Sequence, residues 1–267
     1  MNQQLIEKVM KQVSNELAGG TASASASSTS PACDLSSDGV ELTEYVGTST
    51  GDTIGLVIAS VDPLVSEAMK LGKFRSIGII GGRTGAGPQI MAVDEAVKAT
   101  NTEVISVELP RDTKDGAGHG SLIIIGADDV SDARRAVEIA LSVLPKYFGD
   151  VYGNAAGHLE FQYTARASYC LEKAMGATLG KAWGMTCAGP AAIGAVLADT
   201  AVKAANVDVI GYCSPGNGGT SYSNECILTF TGDSGAVRQA VRAAIEVGKK
   251  LLGALGDEPQ STTTPYI

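Results

Sequence analysis

In this 267-residue chain, the stretch whose composition could cradle a ligand is Ile77-Gly-Ile-Ile-Gly-Gly-Arg-Thr-Gly-Ala-Gly87. It reads as a strand running into a glycine-rich turn and a helix, with Glu108 closing the next strand, the outline of a dinucleotide site. Three features oppose that use. The glycines do not fit G-x-G-x-x-G, no Lys-Ser/Thr of a phosphate loop follows, and the strand Glu103 to Leu109 turns back through a hairpin instead of crossing over by a helix. In the second half of the chain the same turn is Cys187-Ala-Gly-Pro190, stripped of all but one glycine.

Acid-base and metal chemistry are equally thin. His119 and His158 are the two imidazoles, and neither stands in a Cys/His or Ser/His motif of known spacing. His119, within Gly116-Ala-Gly-His-Gly120, reads as a solvated turn histidine, and Asp112 and Asp115, flanking Lys114, read as a hydrated loop. Cys33, Cys170, Cys187, Cys213 and Cys226 are scattered and never spaced C-x-x-C, so they read as reduced structural thiols. No metal site, no cofactor and no catalysis are expected.

What positions these residues is a duplication. Ala96-Val-Lys-Ala-Thr-Asn-Thr-Glu-Val-Ile105 returns as Ala201-Val-Lys-Ala-Ala-Asn-Val-Asp-Val-Ile210. In each, a helix-forming run ends at Asn and an acidic residue followed by β-branched residues opens a strand. Glu67-Ala-Met69 matches Lys173-Ala-Met175, Arg75 to Ile79 matches Lys181 to Met185, and the strand ending Gly126 matches the one ending Gly232, all at an offset of 106. A period this long exceeds solenoid repeats of roughly 20 to 50 residues, so each copy should carry its own core.

The first copy predicts strand Thr53 to Ser60, helix Pro63 to Gly72, strand Ser76 to Gly81, helix Pro88 to Thr100, strand Glu103 to Leu109, strand Ser121 to Gly126 and helix Ser131 to Phe148. The second repeats that order from about His158 to Leu255. Two helix crossovers and one hairpin per copy predict an α+β fold, each unit a mixed sheet with helices packed on it. The expected domains are residues 1–39 (helix and linker), 40–150, 151–257 and a flexible tail, 258–267.

Leu5, Ile6, Val9, Met10, Val13 and Leu17 fall on one stripe of a helix, tethered by a Gly/Ala/Ser/Thr linker from Ala18 to Pro31. That stripe needs a partner, either this protein's own surface or a second protein. A net charge of -9 excludes a nucleic-acid footprint and gives no electrostatic reason to sit on an anionic membrane. Lys8, Lys11, Glu7 and Glu16 break the continuous apolar core that a signal peptide needs, so a cytoplasmic location is expected.

The run Ala198-Asp-Thr-Ala-Val-Lys-Ala-Ala-Asn-Val-Asp-Val-Ile-Gly-Tyr212, followed by a glycine-rich hairpin and Thr231-Gly-Asp233, closely resembles the bacterial microcompartment shell domain. With its duplicate the likeness covers about Val40 to Leu255. An extra strand and helix ahead of Ser76 and Ala182 resemble the circularly permuted, tandem-domain subclass. The tethered helix and Ile58-Ala-Ser-Val-Asp62 look most like the B-type shell proteins of propanediol- or ethanol-utilisation compartments.

The resemblance implies homotrimers whose six domains imitate a hexagonal tile, packed edge to edge with other shell proteins. It implies tile-edge contacts by Lys98, Asn101, Lys203 and Asn206, with Thr100 and Thr102 departing from the pattern. It implies a polar passage lined by the loops Pro110 to Gly120 and Ser214 to Asn224, that is by Asp112, Lys114, Asp115, His119, Ser214, Asn217, Tyr222 and Asn224. Small channels within a subunit would bring in Arg83, Thr84 and Ser121. A small polar metabolite of the glycerol or 1,2-propanediol class is the implied permeant, and residues 1–17 could contact encapsulated enzymes. The competing readings are a small-molecule sensor of duplicated α+β domains and, more weakly, a nucleotide-binding enzyme.

Overall fold

The computed structural model describes residues 43–111, 119–216 and 224–267. The amphipathic stripe from Leu5 to Leu17 lies outside them, as do Asp112, Lys114, Asp115, Asn217 and Tyr222.

The first repeat runs β1 (Tyr45–Ser49), β2 (Thr53–Ile58), α1 (Pro63–Ala68), β3 (Ser76–Gly82), α2 (Gly87–Lys98), β4 (Thr102–Glu108), β5 (Ser121–Ala127) and α3 (Val130–Tyr147). The second runs β6 (Val151–Asn154), β7 (Gly157–Thr164), α4 (Tyr169–Met175), β8 (Ala182–Gly189), α5 (Ala191–Ala204), β9 (Val207–Cys213), β10 (Cys226–Gly232) and α6 (Ser234–Gly253), closed by β11 (Gln260–Ser261). Their sheets have the orders β1-β2-β3-β5-β4 and β11-β6-β7-β8-β10-β9.

The expected hairpin and the crossover through the second helix of each copy are present, but α1 and α4 join adjacent antiparallel strands and make no crossover, and each neighbouring strand pair is antiparallel. The crossover through α2 leaves β3 and β4 pointing the same way, but β5 inserts between them. That makes a split β-α-β unit. Glycines let the long helices come down on the central strands. A side chain at Gly78 would meet Val137 of α3, and one at Gly184 would meet Val237 of α6.

The ladders refine the equivalence of the repeats. Ser76 pairs Ala127 while Ala182 pairs Gly232, so Ala127, not Gly126, matches Gly232. The strand offset there is therefore 105, and the difference is physical, because a one-residue slip would send every side chain to the other face.

Three expectations are corrected. Strands β1 and β6 precede the strands with which each copy was expected to open; Tyr45-Val-Gly-Thr-Ser49 and Val151-Tyr-Gly-Asn154 are short and glycine-bearing, with little alternation to announce them. Helix α1 ends at Ala68. The tail read as flexible, residues 258–267, is held down. Thr262 Oγ1 donates to the Phe148 carbonyl at 2.6 Å, and the Tyr266 and Ile267 amides donate to Asp150 Oδ2 at 2.9 and 3.0 Å. The Arg242 guanidinium donates to the main-chain oxygen of Ile267 at 2.7 Å, and Tyr266 stands edge-on to Tyr147.

Residues 42–267 form one compact unit. The second repeat has a core of its own around Leu159, Phe161, Leu197, Phe230, Val237 and Val241. The core of the first does not stop at its boundary: Ile90, Met91, Val93 and Tyr147 share a cluster with Cys170, Leu171, Trp183 and Met185. The repeats are thus welded through α2, which lies against α4 and the outer face of β7 and β8.

Candidate functional site

The weld is built by alternation. Along β7, Leu159 and Phe161 turn into the second core under α6, so His158, Glu160 and Gln162 turn the other way, towards the first repeat. Along β8, Trp183, Met185 and Cys187 share that outer face. Gln162 donates to the Tyr147 carbonyl at 3.0 Å, one tie between repeats. Helix α2 supplies another. Asp94 is fully buried and accepts from the Ser168 amide at 3.0 Å and the Leu171 amide at 3.3 Å, capping α4 from outside. Lys98 closes the arrangement with its ammonium 2.8 Å from Asp94.

At one end of the weld five ionisable groups meet. His119 Nδ1 lies 3.0 Å from Glu225 Oε1, and His158 Nε2 lies 3.2 Å from Glu225 Oε2. Burial alone would raise the Glu225 carboxyl, but the two imidazole hydrogen bonds outweigh it and hold the group down at about 2. Glu160 behaves oppositely: burial, then the Glu225 charge, push it up to about 7. Burial also pushes the Cys187 thiol well above its usual value. One carboxyl is thus held ionised, while burial favours the neutral forms of Glu160 and Cys187 beside it.

Glu160 also accepts a hydrogen bond from the Gly87 amide and packs against Gly85 at the start of α2. A helix N-terminus is where a phosphate would bind, and here the protein's own carboxyl fills it. That removes the structural basis for a nucleotide in the glycine-rich turn.

The cluster surrounds a cavity of about 30 Å³, lined by Gly85, Gly87, His119, His158, Glu160, Cys187 and Glu225 with Met175, Met185 and Ile227 behind. A larger one of about 260 Å³ shares Gly85, His158 and Glu160 and continues past Thr84, Tyr152, Asn154 and Thr262.

The sequence-derived residues distribute as follows. His119 is 4% exposed, so it is a buried hydrogen-bonding partner and not a solvated turn histidine. The strands force this: its neighbour Gly120 leads into β5, which runs beside β3 under the same junction. Thr84 lines the larger cavity, Arg83 is exposed beside it, and Ser121 is buried at the head of β5. Ser214 is half-buried and Asn224 exposed. Asn101, Lys203 and Asn206 are exposed, and the Lys203 side chain keeps 75% of its surface. Lys98 keeps 27% and is paired with Asp94 and Glu95.

Sequence reasoning missed Glu160, Cys187 and Glu225. Glu160 leaves a trace, a charge between Leu159 and Phe161 in an apolar run, but residues 158, 187 and 225 meet only through strand pairing. Among the described residues no helix is long and apolar enough to cross a membrane.

The BMC domain family model matches twice, at residues 76–156 and 182–257. Both matches begin on the central strand, β3 or β8, so β2-α1 and β7-α4 precede them, as the permuted order requires. "Bacterial microcompartment shell protein PduB" of Salmonella typhimurium is 58% identical over 267 residues, covering 99% of this chain and 98% of its own. The protein of that name in Limosilactobacillus reuteri is 54% identical over 226 residues, covering 84% and 94%. Among solved structures, that of a trimeric bacterial microcompartment shell protein PduB superposes with a TM-score of 0.82 at 54% identity, over 85% of this chain and 100% of the other. EtuB from Clostridium kluyveri gives 0.83 at 56%, with the same coverage.

Proposed function

The chain belongs to the BMC-domain family of bacterial microcompartment shell proteins, and on that premise we propose that three copies close into a ring of six repeats and tile the compartment shell. Its role is structural, as a component of that shell.

The observation that carries the trimer is a joint made once and left open once. Within the chain, α2 buries Cys170 and Leu171 of α4 completely. The same places on α1 are Leu64 and Val65, which stand 78% and 47% exposed, and α1 buries nothing. Helix α5 repeats α2, yet where α2 buries Met91 it exposes Val196. A second copy laying its α5 on α1 remakes the joint already seen between the repeats. Such a head-to-tail contact must close or propagate, and the trimeric relative supports closure at three. Each apolar side chain so covered contributes about 1.5–3 kcal/mol.

The double variant Leu64→Asp with Val65→Asp tests this. Light scattering should fall from the mass of three chains to that of one while the circular dichroism is kept, because α1 has no buried residue to lose. A trimer that survives both charges overturns the arrangement.

Lys203 and Asn206, with Asn101, form the tile edge in this reading. Lys98, drawn in by Asp94, contributes less. Lys203→Ala should thin out sheets in negative-stain micrographs more than Lys98→Ala does, with trimers intact. The cavity running past Thr84, Asn154 and Glu160 suits a small polar metabolite of the glycerol or 1,2-propanediol class. Ligand-observed NMR with 1,2-propanediol should show binding that Thr84→Leu abolishes; binding indifferent to that change places the passage elsewhere. Residues 1–17, whose sequence carries the apolar stripe, are left to contact an encapsulated enzyme, which co-sedimentation with and without those residues would test.

A further inference from the structure

We propose that His158, Cys187 and Glu225 are the ligands of one divalent transition-metal ion, zinc by preference, held inside the weld between the two repeats. No role in the shell assembly requires it.

The geometry brings three metal-ligating side chains together. One ligand atom from each of the three residues lies within 4.8 Å of the other two, and all three side chains are buried. His158 Nε2 and Glu225 Oε2 are 3.2 Å apart. Zinc bonds of about 2.0–2.2 Å at the tetrahedral angle separate two ligand atoms by about 3.3–3.6 Å, so this edge needs to open by only a few tenths of an ångström. The mixed nitrogen, sulfur and oxygen set suits zinc better than calcium or magnesium, which want oxygen alone. Three different strands or strand ends present the ligands, so the site is held by the sheet and not by one mobile loop. The adjoining cavity of about 30 Å³ has room for the ion with one solvent molecule as fourth ligand.

Charge and outer contacts fit as well. A thiolate from Cys187 and the Glu225 carboxylate neutralise a dication where uncompensated charge would be costly. Binding releases the thiol proton to solvent; the Nε2 proton of His158 moves to Nδ1, leaving the Nε2 lone pair for the ion. That Nδ1 atom is buried with no hydrogen-bond partner among the described residues, so ligation must outweigh the cost of an unpaired N–H there. His119 holds the second oxygen of Glu225 from 3.0 Å, the orienting contact that metal-ligating carboxylates usually have. The larger cavity, which shares His158 and Glu160, provides the way in.

The repeats make the proposal quantitative. The ladders place Asp52, Gly81 and Gly120 of the first repeat where the second has His158, Cys187 and Glu225. That set has neither imidazole nor thiol, so each chain should bind one ion and not two.

The experiment is a cobalt(II) titration of full-length, tag-free protein that has been stripped with a chelator and kept reduced. The expected result is one equivalent per chain, four-coordinate d–d absorption, and a thiolate-to-cobalt charge-transfer band that zinc then bleaches. Cys187→Ser should abolish the charge-transfer band, Cys213→Ser should leave it, and His119→Gln should weaken binding by about 10- to 100-fold. Because a substitution in the weld could unfold the chain, anomalous diffraction from zinc-soaked crystals of the unaltered protein supplies the second readout. It should show a peak within about 2.0–2.3 Å of all three ligand atoms. No charge-transfer band at one equivalent, a band that survives Cys187→Ser, or no anomalous peak at the three residues overturns the proposal.

Discussion

Asp94 and Asp199 hold the same place in their repeats, each one helical turn ahead of the lysine it pairs with, at 2.8 and 2.7 Å. Asp94 is sealed in the weld, capping a helix of the other repeat, whereas the Asp199 side chain is 62% exposed. The same contrast runs through Leu171 against Val65, Met91 against Val196 and Glu160 against Ile54. A duplicated sequence has therefore produced one finished interface and the two halves of an unfinished one. What separates the repeats is which of their surfaces the chain itself has covered.

The most direct test of that contrast is at the aspartates. Asp94→Ala takes the acceptor from the buried Leu171 amide and the part-buried Ser168 amide, while Lys98 keeps Glu95, and should cost about 2–4 kcal/mol in denaturant unfolding, against less than about 1 kcal/mol for Asp199→Ala. Equal costs would mean that the weld is not where the chain's stability is concentrated. Next, Leu171→Ala should cost about 2–5 kcal/mol by opening a cavity under α2. Val65→Ala should instead leave the unfolding of the isolated chain within about 0.5 kcal/mol and weaken trimer association.

Glu160 gives a pH signature to the second repeat alone. Its folded value, about 7, lies above its ordinary 4.5, so the folded chain binds more protons than the unfolded chain across that window. Stability is then fully present below pH 4.5 and is lost as pH rises through 7, by on the order of 3 kcal/mol. Glu160→Gln in metal-free protein should remove that part of the slope, read as the difference between variant and parent melting curves. Ile54→Gln should leave the slope untouched. The last pair of substitutions sharpens the likeness instead of the difference. Gly78→Ala and Gly184→Ala both push a methyl into a valine of the overlying helix and should each cost about 1–3 kcal/mol. A marked inequality there would break the equivalence of the two helix-sheet packings.

Much of the fold was legible in the chain. The Ala-Val-Lys-Ala corners, the glycines before Arg83 and the Thr-Gly-Asp strand end are local signals, and local signals survive translation into elements and into a family. Strands β1 and β6 were not legible because four or five residues with a central glycine carry too little alternation to stand out. The tail misled because its Ser, Thr and Pro read as loose chain, yet those hydroxyls and amides are what bind it to Phe148 and Asp150.

Sequence alone determined the duplication, the element order, the acidic surface and the shell family, since each rests on residues near one another in the chain or on composition. Only the tertiary structure decided that His119 is buried, that Glu160 blocks the helix end a nucleotide would need, and that Cys187, His158 and Glu225 converge. Those outcomes depend on which face of β7 and β8 the second core claims. Once Leu159 and Phe161 have filled it, alternation sends every intervening side chain into the weld, where strand pairing rather than spacing sets its neighbours.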